Sequence, residues 1–279
     1  MENVHFIFCD IQDSLCKQWN IHIRKLDTNL QKHFTVFNDR LSEYPGKFDC
    51  IVSPGNAQAR LDGSFDYFIS DMFCHDNPSI VTDFCQETLY AIYNGYQVPG
   101  TCLLIPMHNF SEQKFKCRYI AHCPTMRTPS NCKWNKEIVY NCMWSLLCEI
   151  ERHNIYRAKN KGNDIITSVF MTGLGTGVGG FSSETCAAQM VLAYKHFIEN
   201  KIKVSNCITT TSWNEAYAKG IDIDETIRNY SFLTSKISSP NDFLKSFKNL
   251  SVDSSSSNKN DEKENYKEID DVDENSICI

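Results

Sequence analysis

Apolar and polar positions switch between two periods along this chain, and the switches mark out its elements. Val4–Cys9 is a short apolar run ending at Asp10 and reads as a strand. From Asp13 to about Lys32, Leu15, Trp19 and Ile23 recur on one stripe, which predicts a helix. Phe34–Phe37 reads as a second strand, and the interval before it is long enough for a crossover helix, so the two strands can be parallel neighbours. Asp49–Ser53 is a third strand, running into Ser-Pro-Gly-Asn. Phe65, Phe68, Ile69, Met72 and Phe73 then recur at helical spacing. Asn77-Pro78 is a good helix start, and Val81, Phe84, Cys85, Leu89 and Ile92 carry that helix to a stop near Gly95. Thr101–Ile105 and Lys116–His122 read as strands. Asn135 to about His153 reads as a helix with Ile138, Val139, Cys142, Leu146 and Ile150 inward. Asp164–Met171 is a further strand, followed by a glycine-rich loop and a helix from about Ser182 to Asn200. Strands alternating with helices predict an α/β fold, a three-layer α/β/α sandwich.

Val204 to Leu250 is expected to pack on the same domain as one strand and short helices. From Ser251 the chain is rich in Ser, Asn, Asp and Glu and nearly devoid of apolar residues, so disorder is expected there. The domain reading is one domain over 1–250 and an acidic tail over 251–279. That tail holds nine acidic and three basic residues, a balance of −6, which equals the net charge of the whole chain. A neutral body with an acidic tail argues against a nucleic-acid-binding surface. No apolar run approaches the ~18 residues of a membrane span. The N-terminus shows no secretory pattern, and the 14 cysteines lie in apolar runs without metal-ligand spacing. They read as buried free thiols in a reducing compartment, the cytoplasm with the nucleus also open. No metal and no cofactor is expected, and the chain is taken as a monomer.

Thr172–Phe181, TGLGTGVGGF, follows a strand and precedes a helix. Its closely spaced glycines let several backbone N–H groups approach one phosphate, and the helix N-terminus adds partial positive charge. Gly175, Gly177 and Gly180 also satisfy the dinucleotide pattern G-x-G-x-x-G, which leaves an NAD-dependent oxidoreductase as an alternative. The P-loop reading fails, because Phe181-Ser182 stands where Lys-Ser/Thr is required. A second loop, Ser53–Asp66, also follows a strand. There Asn56 can donate and accept hydrogen bonds as a ribose hydroxyl requires, and Gly55 and Gly63 permit close approach. Asp66 opens a helix. Singly, Asn56 reads as a turn former and Asp66 as a helix N-terminal carboxylate.

Taken together and in order, these features resemble the macro-domain family over roughly Phe34 to Asn200. Family members carry a strand ending in Asn-Ala-Ala-Asn, a Gly-rich loop, then Val-Asp; Asn56 matches the second Asn and Asp66 the Asp, while Ser53 stands at the first Asn. VFNDRL resembles the family's Gly-Asp-Ile segment, and YIAHCPTM resembles its Ile-His-x-x-Gly-Pro strand. The resemblance implies a mixed central sheet. It implies that Asp39 accepts from the adenine amino group, with the Arg40 backbone beside it. Gly175, Thr176, Gly177, Val178 and Gly180 would then cradle a diphosphate, and Phe181 would lie near the distal ribose. Ser53, Gly55 and Gly63 would line the ribose side. The implied ligand is ADP-ribose or ADP-ribose 1″-phosphate. The implied reaction is hydrolysis of the 1″-phosphate, the substrate being a by-product of tRNA splicing, with Asn56 orienting the ribose and Asp66 positioning or deprotonating a water. A non-catalytic ADP-ribose-binding module, a hydrolase of protein-linked ADP-ribose, and a fold kept for protein contacts stay open. His122 lies on an apolar strand and reads as structural. Asp10, at the first strand's end, reads as a cap for the following helix.

Overall fold

The computed structural model describes residues 3–110, 113–160, 162 and 164–228. The stretch 229–250 and the acidic tail from Ser251 lie outside the described residues. Six strands form one sheet: β1 (His5–Cys9), β2 (Phe34–Phe37), β3 (Cys50–Ser53), β4 (Leu103–Pro106), β5 (Tyr119–His122) and β6 (Ser168–Met171). Their order across the sheet is β2-β1-β6-β3-β5-β4, with β4 antiparallel to β5 and every other pairing parallel. The sheet is therefore mixed.

Strand parity sorts the core into two layers. Phe6 and Phe8, Cys50 and Val52, Tyr119 and Ala121, and Val169 and Met171 point to one face. There they meet Leu15, Trp19 and Ile23 of α1 (Asp13–Ile23), together with α5 (Ile138–Lys159) and α6 (Ser183–Ser205). Ile7, Ile51, Ile120 and Phe170 point to the other face. They meet Ile69 and Phe73 of α3 (Ser64–Phe73) and Val81, Cys85 and Leu89 of α4 (Ser79–Tyr93). The inner strands β1, β3, β5 and β6 are buried on both faces and carry mostly apolar runs, while the edge strands β2 and β4 are partly exposed. The result is the α/β/α sandwich.

Several boundaries differ from the sequence reading. The expected helix over Asp13–Lys32 is broken: α1 stops at Ile23, and a short α2 (Thr28–Gln31) follows. The apolar stripe continues through Leu26 and Leu30, so periodicity cannot reveal the break. It is made by Asp27, whose carbonyl starts the next turn, and by Gln31 Nε2, which donates to the Leu26 carbonyl at 2.7 Å. β5 and β6 begin later than expected, and just ahead of them Arg118 and Asp164 join Asp49 in an ion-pair cluster at the N-terminal ends of the strands. Beyond α6 the described chain forms one helix, α7 (Trp213–Arg228), with no strand there. α7 is tied to α6 by Lys203–Glu215 and by buried His196, which meets Asp222 at 3.1 Å. Among the described residues no helix is long and apolar enough to cross a membrane. The described cysteines are free and mostly buried, with Cys148 and Cys207 exposed.

Candidate functional site

Parallel strands share a direction, so the loops leaving β2, β1, β6, β3 and β5 all emerge at one edge of the sheet. In an open α/β sheet that edge is where ligand crevices form. Cys50 and Ile51 of β3 lie beside Val169 and Phe170 of β6, so the 53–66 and 172–181 loops leave adjacent strand tips. Asp39 follows β2 at the far end of the same edge and is exposed.

The loop after β6 is shaped by its glycines. Gly175 and Gly180 have φ of 68° and 78°, in the region that favours glycine. Phe181 N–H donates to Gly175 O at 3.0 Å and Gly180 N–H to Gly177 O at 3.0 Å, which closes the loop on itself. The Leu174 backbone N–H meets the Cys186 sulfur, but among the described residues no acceptor meets the backbone N–H of Gly175, Thr176, Gly177, Val178 or Gly179. That run of donors lies just ahead of α6, whose own cap is Ser182 accepting from Thr185 N–H at 3.1 Å. Unpaired amides gathered at a helix start make an anion-binding concavity. Gly177 and Val178 are exposed at the rim.

Phe181, which the resemblance implies near the distal ribose, turns inward beneath the loop. It is 8% exposed, belongs to the α1/α5/α6 core, and its ring lies against Gly175. It forms the floor of the loop, because the turn at Gly180 carries the chain inward before α6. A third loop, missed in the sequence, braces the same glycines: Cys132 N–H donates to Gly179 O at 3.1 Å. This loop sets Asn131 and Lys133 beside Gly180 and leaves Trp134 81% exposed. Its only sequence signal is that it follows a strand tip.

On the β3 side, register explains the chemistry. Ser53 pairs with His122 across β3 and β5, and both side chains fall on the α3/α4 face. The first turn of α3 brings Asp66 over them. Ser53 Oγ donates to Asp66 Oδ1 at 2.8 Å and lies 3.3 Å from His122 Nδ1. His122 Nε2–H donates to the Asn56 carbonyl at 3.0 Å. A Cβ on Gly55 would lie 2.9 Å from Asp66 Oδ2 and 3.2 Å from His122 Cε1, so only glycine leaves room for this trio. Burial pushes the Asp66 carboxyl up to about 7, opposed by the Ser53 hydrogen bond and helped by the Asp62 charge. Burial depresses His122 to about 4, so it is neutral near pH 7. His122 is thus structural in its burial, yet it touches the candidate catalytic group through Ser53.

Asn56 is largely occupied by its own loop. Its Nδ2 donates to Arg60 O at 3.0 Å and its Oδ1 accepts from Gln58 N–H at 3.1 Å, an arrangement that folds 56–60 into a tight turn. Gly63 starts α3 with open space around it, and Arg60 pairs with Asp62 at the rim. At the far end of that edge, after β2, Asp39 Oδ1 accepts from the Arg40 backbone N–H at 2.8 Å, so that amide is satisfied internally. Between the two ends, Asp10 accepts from Gln12 N–H at 2.9 Å and from Thr172 Oγ1 at 2.7 Å. It both supports the start of α1 and ties the glycine loop to β1. No cluster of His, Cys, Asp and Glu among the described residues is arranged to hold a metal ion.

Solved structures with a similar chain include an Oceanobacillus iheyensis macrodomain with ADP, 18% identical, matched over 55% of this chain and 70% of that one with a TM-score of 0.41. The same macrodomain with MES bound is 16% identical over 66% of this chain and 87% of that one, TM-score 0.40. A Trypanosoma brucei macrodomain in complex with ADP-ribose is 19% identical over 55% and 53%, TM-score 0.37. No curated protein matches. The profile of one protein family, described as "Macro-like domain", matches residues 19–213. That span covers both loops, all the strands after β1 and most of the helices, and on it the chain belongs to the macro-like domain family.

Proposed function

We propose that the chain binds ADP-ribose-type nucleotides along the strand tips and hydrolyses ADP-ribose 1″-phosphate to ADP-ribose and phosphate. The observation that carries this reading is the juxtaposition of two features on the loops of adjacent strands: the run of free amides at 175–179 and the half-buried, readily protonated carboxyl of Asp66. The amides suit a diphosphate, each N–H bond to a charged oxygen being worth roughly 1.5–3 kcal/mol. Asp39 then reaches the adenine, and the distal ribose lies toward Asp66. Macrodomains carrying ADP or ADP-ribose lend support to the ligand class.

In the reaction a water adds to phosphorus, its proton passes to ionised Asp66, and the bond from phosphorus to the 1″ oxygen breaks as that oxygen takes up a proton. A general base works best with a pKa near the working pH, and burial brings Asp66 there. The test is phosphate release from ADP-ribose 1″-phosphate by wild type and Asp66→Ala. Turnover by wild type that the variant lacks supports the reading. Absence of turnover by wild type leaves a binding module. That second reading is favoured by one observation: the Asn56 amide, expected to orient the ribose, is engaged within its own loop.

A further inference from the structure

Asp66, Ser53 and His122 are joined in series, and counting their hydrogens leads to a shared proton. The Asn56 carbonyl can only accept, so His122 Nε2 carries a hydrogen and neutral His122 presents a bare Nδ1. Ser53 has one hydroxyl hydrogen between two acceptors, Asp66 Oδ1 at 2.8 Å and His122 Nδ1 at 3.3 Å. With Asp66 ionised and His122 neutral, one acceptor in this buried junction is left without a donor, which is costly. A single added proton repairs this. On Asp66, it is donated to Ser53 Oγ, and the Ser53 hydroxyl turns to donate to Nδ1. On Nδ1, the imidazolium donates to Ser53 Oγ, and Ser53 keeps its bond to Asp66.

We propose that Ser53 and His122 are positioning residues that hold one mobile proton at Asp66, His122 acting only through the Ser53 hydroxyl. Burial disfavours the charge-separated form, raising the Asp66 carboxyl to about 7 and lowering His122 to about 4, so the resting proton is on Asp66. The other titratable or charged groups facing Asp66 fit this state. Asp62, in its own loop, raises proton affinity, and its carboxylate is paired with Arg60. Cys85, on α4, has a thiol pushed up to about 12 and stays neutral. The inference rests on the reading of Asp66 as the site's acid–base group, but its test needs no turnover.

The test is a carboxyl-carbon NMR titration of Asp66 in the full chain. Ser53→Ala removes the bond that favours the carboxylate and shifts the midpoint up by about one pH unit. His122→Leu frees the Ser53 hydroxyl to serve Asp66 alone and shifts it down by a similar amount. The double variant matches Ser53→Ala, since His122 has no other route. Shifts of the same sign, or an additive double variant, overturn the proposal. If His122→Leu does not fold, wild-type nitrogen NMR decides. His122 must keep the Nε2–H tautomer through the Asp66 titration, and an Nδ1–H tautomer or an imidazolium above about pH 6 overturns the relay. Opposed shifts in a protein without phosphate release support the relay and count only against the proposed hydrolysis.

Discussion

Two glycines two residues apart in the loop after β6 separate stability from binding. A Cβ on Gly179 would lie 2.6 Å from the Gly175 carbonyl oxygen and 2.8 Å from Cys132 Sγ, where ordinary contact begins near 3.4 Å. Gly179→Ala therefore drives that carbonyl back by roughly 0.8 Å. The same oxygen accepts from Phe181 N–H at 3.0 Å, and a shift of that size breaks the bond. A lost hydrogen bond of about 0.5–1.5 kcal/mol and an overpacking strain of about 1–3 kcal/mol give a loss of roughly 2–4 kcal/mol. At about 2–4 °C per kcal/mol for a unit of this size, Tm should fall by about 4–16 °C. A Cβ on Gly177 meets nothing within 4 Å, so Gly177→Ala should leave Tm within about 1 °C. Its effect is on the ligand. Gly177→Glu sets a negative charge about 5–6 Å from the expected diphosphate, a repulsion of about 3 kcal/mol at an effective dielectric of ~20, or roughly 100-fold in affinity. Thermal melts and ADP-ribose calorimetry on the variants read both effects. Wild-type affinity in Gly177→Glu, or equal destabilisation by both alanine variants, would refute the assignment of these amides to an anion.

Asp66→Asn should stabilise the protein while removing hydrolysis. The folded carboxyl titrates near 7 against an ordinary value of 3.8, so the native state binds more protons between those values and loses stability as pH rises through them. Melts should show the variant ahead by about 1–2 kcal/mol at pH 8 and level with wild type below about pH 4. Phosphate release by wild type should climb as pH rises through about 7, because the base must be ionised; a rate that falls over that range contradicts the role. Asp39→Ala should weaken ADP-ribose by about 1–2 kcal/mol without changing Tm, since its carboxylate is exposed and, among the described residues, bonded only to the next backbone amide; unchanged affinity on calorimetry would place adenine elsewhere.

Much of the fold was legible because its inner strands are buried on both faces and its helices carry apolar stripes. The α1–α2 break was not, since Leu26 and Leu30 keep the stripe going and the interruption lies in the Asp27 and Gln31 hydrogen bonds. The glycine loop was readable from composition and its place between strand and helix. The inward turn of Phe181 was not, because a residue after a left-handed glycine gives no sign of which side it faces. The link from Asp66 to His122 was hidden for a deeper reason. It depends on Ser53 and His122, far apart in sequence, falling opposite each other in β3 and β5, and register between non-consecutive strands is a tertiary outcome. The loop at 127–134 likewise gains meaning only when Cys132 reaches Gly179.

The most direct measurement is an amide proton–nitrogen NMR titration of the full chain with ADP-ribose. Saturable shifts are expected to concentrate at 175–179, with a second group at 53–66 and a third near Asp39. A titration that leaves the 175–179 amides unmoved, or places the shifts on α7 or at the opposite ends of the strands, contradicts the proposed binding mode.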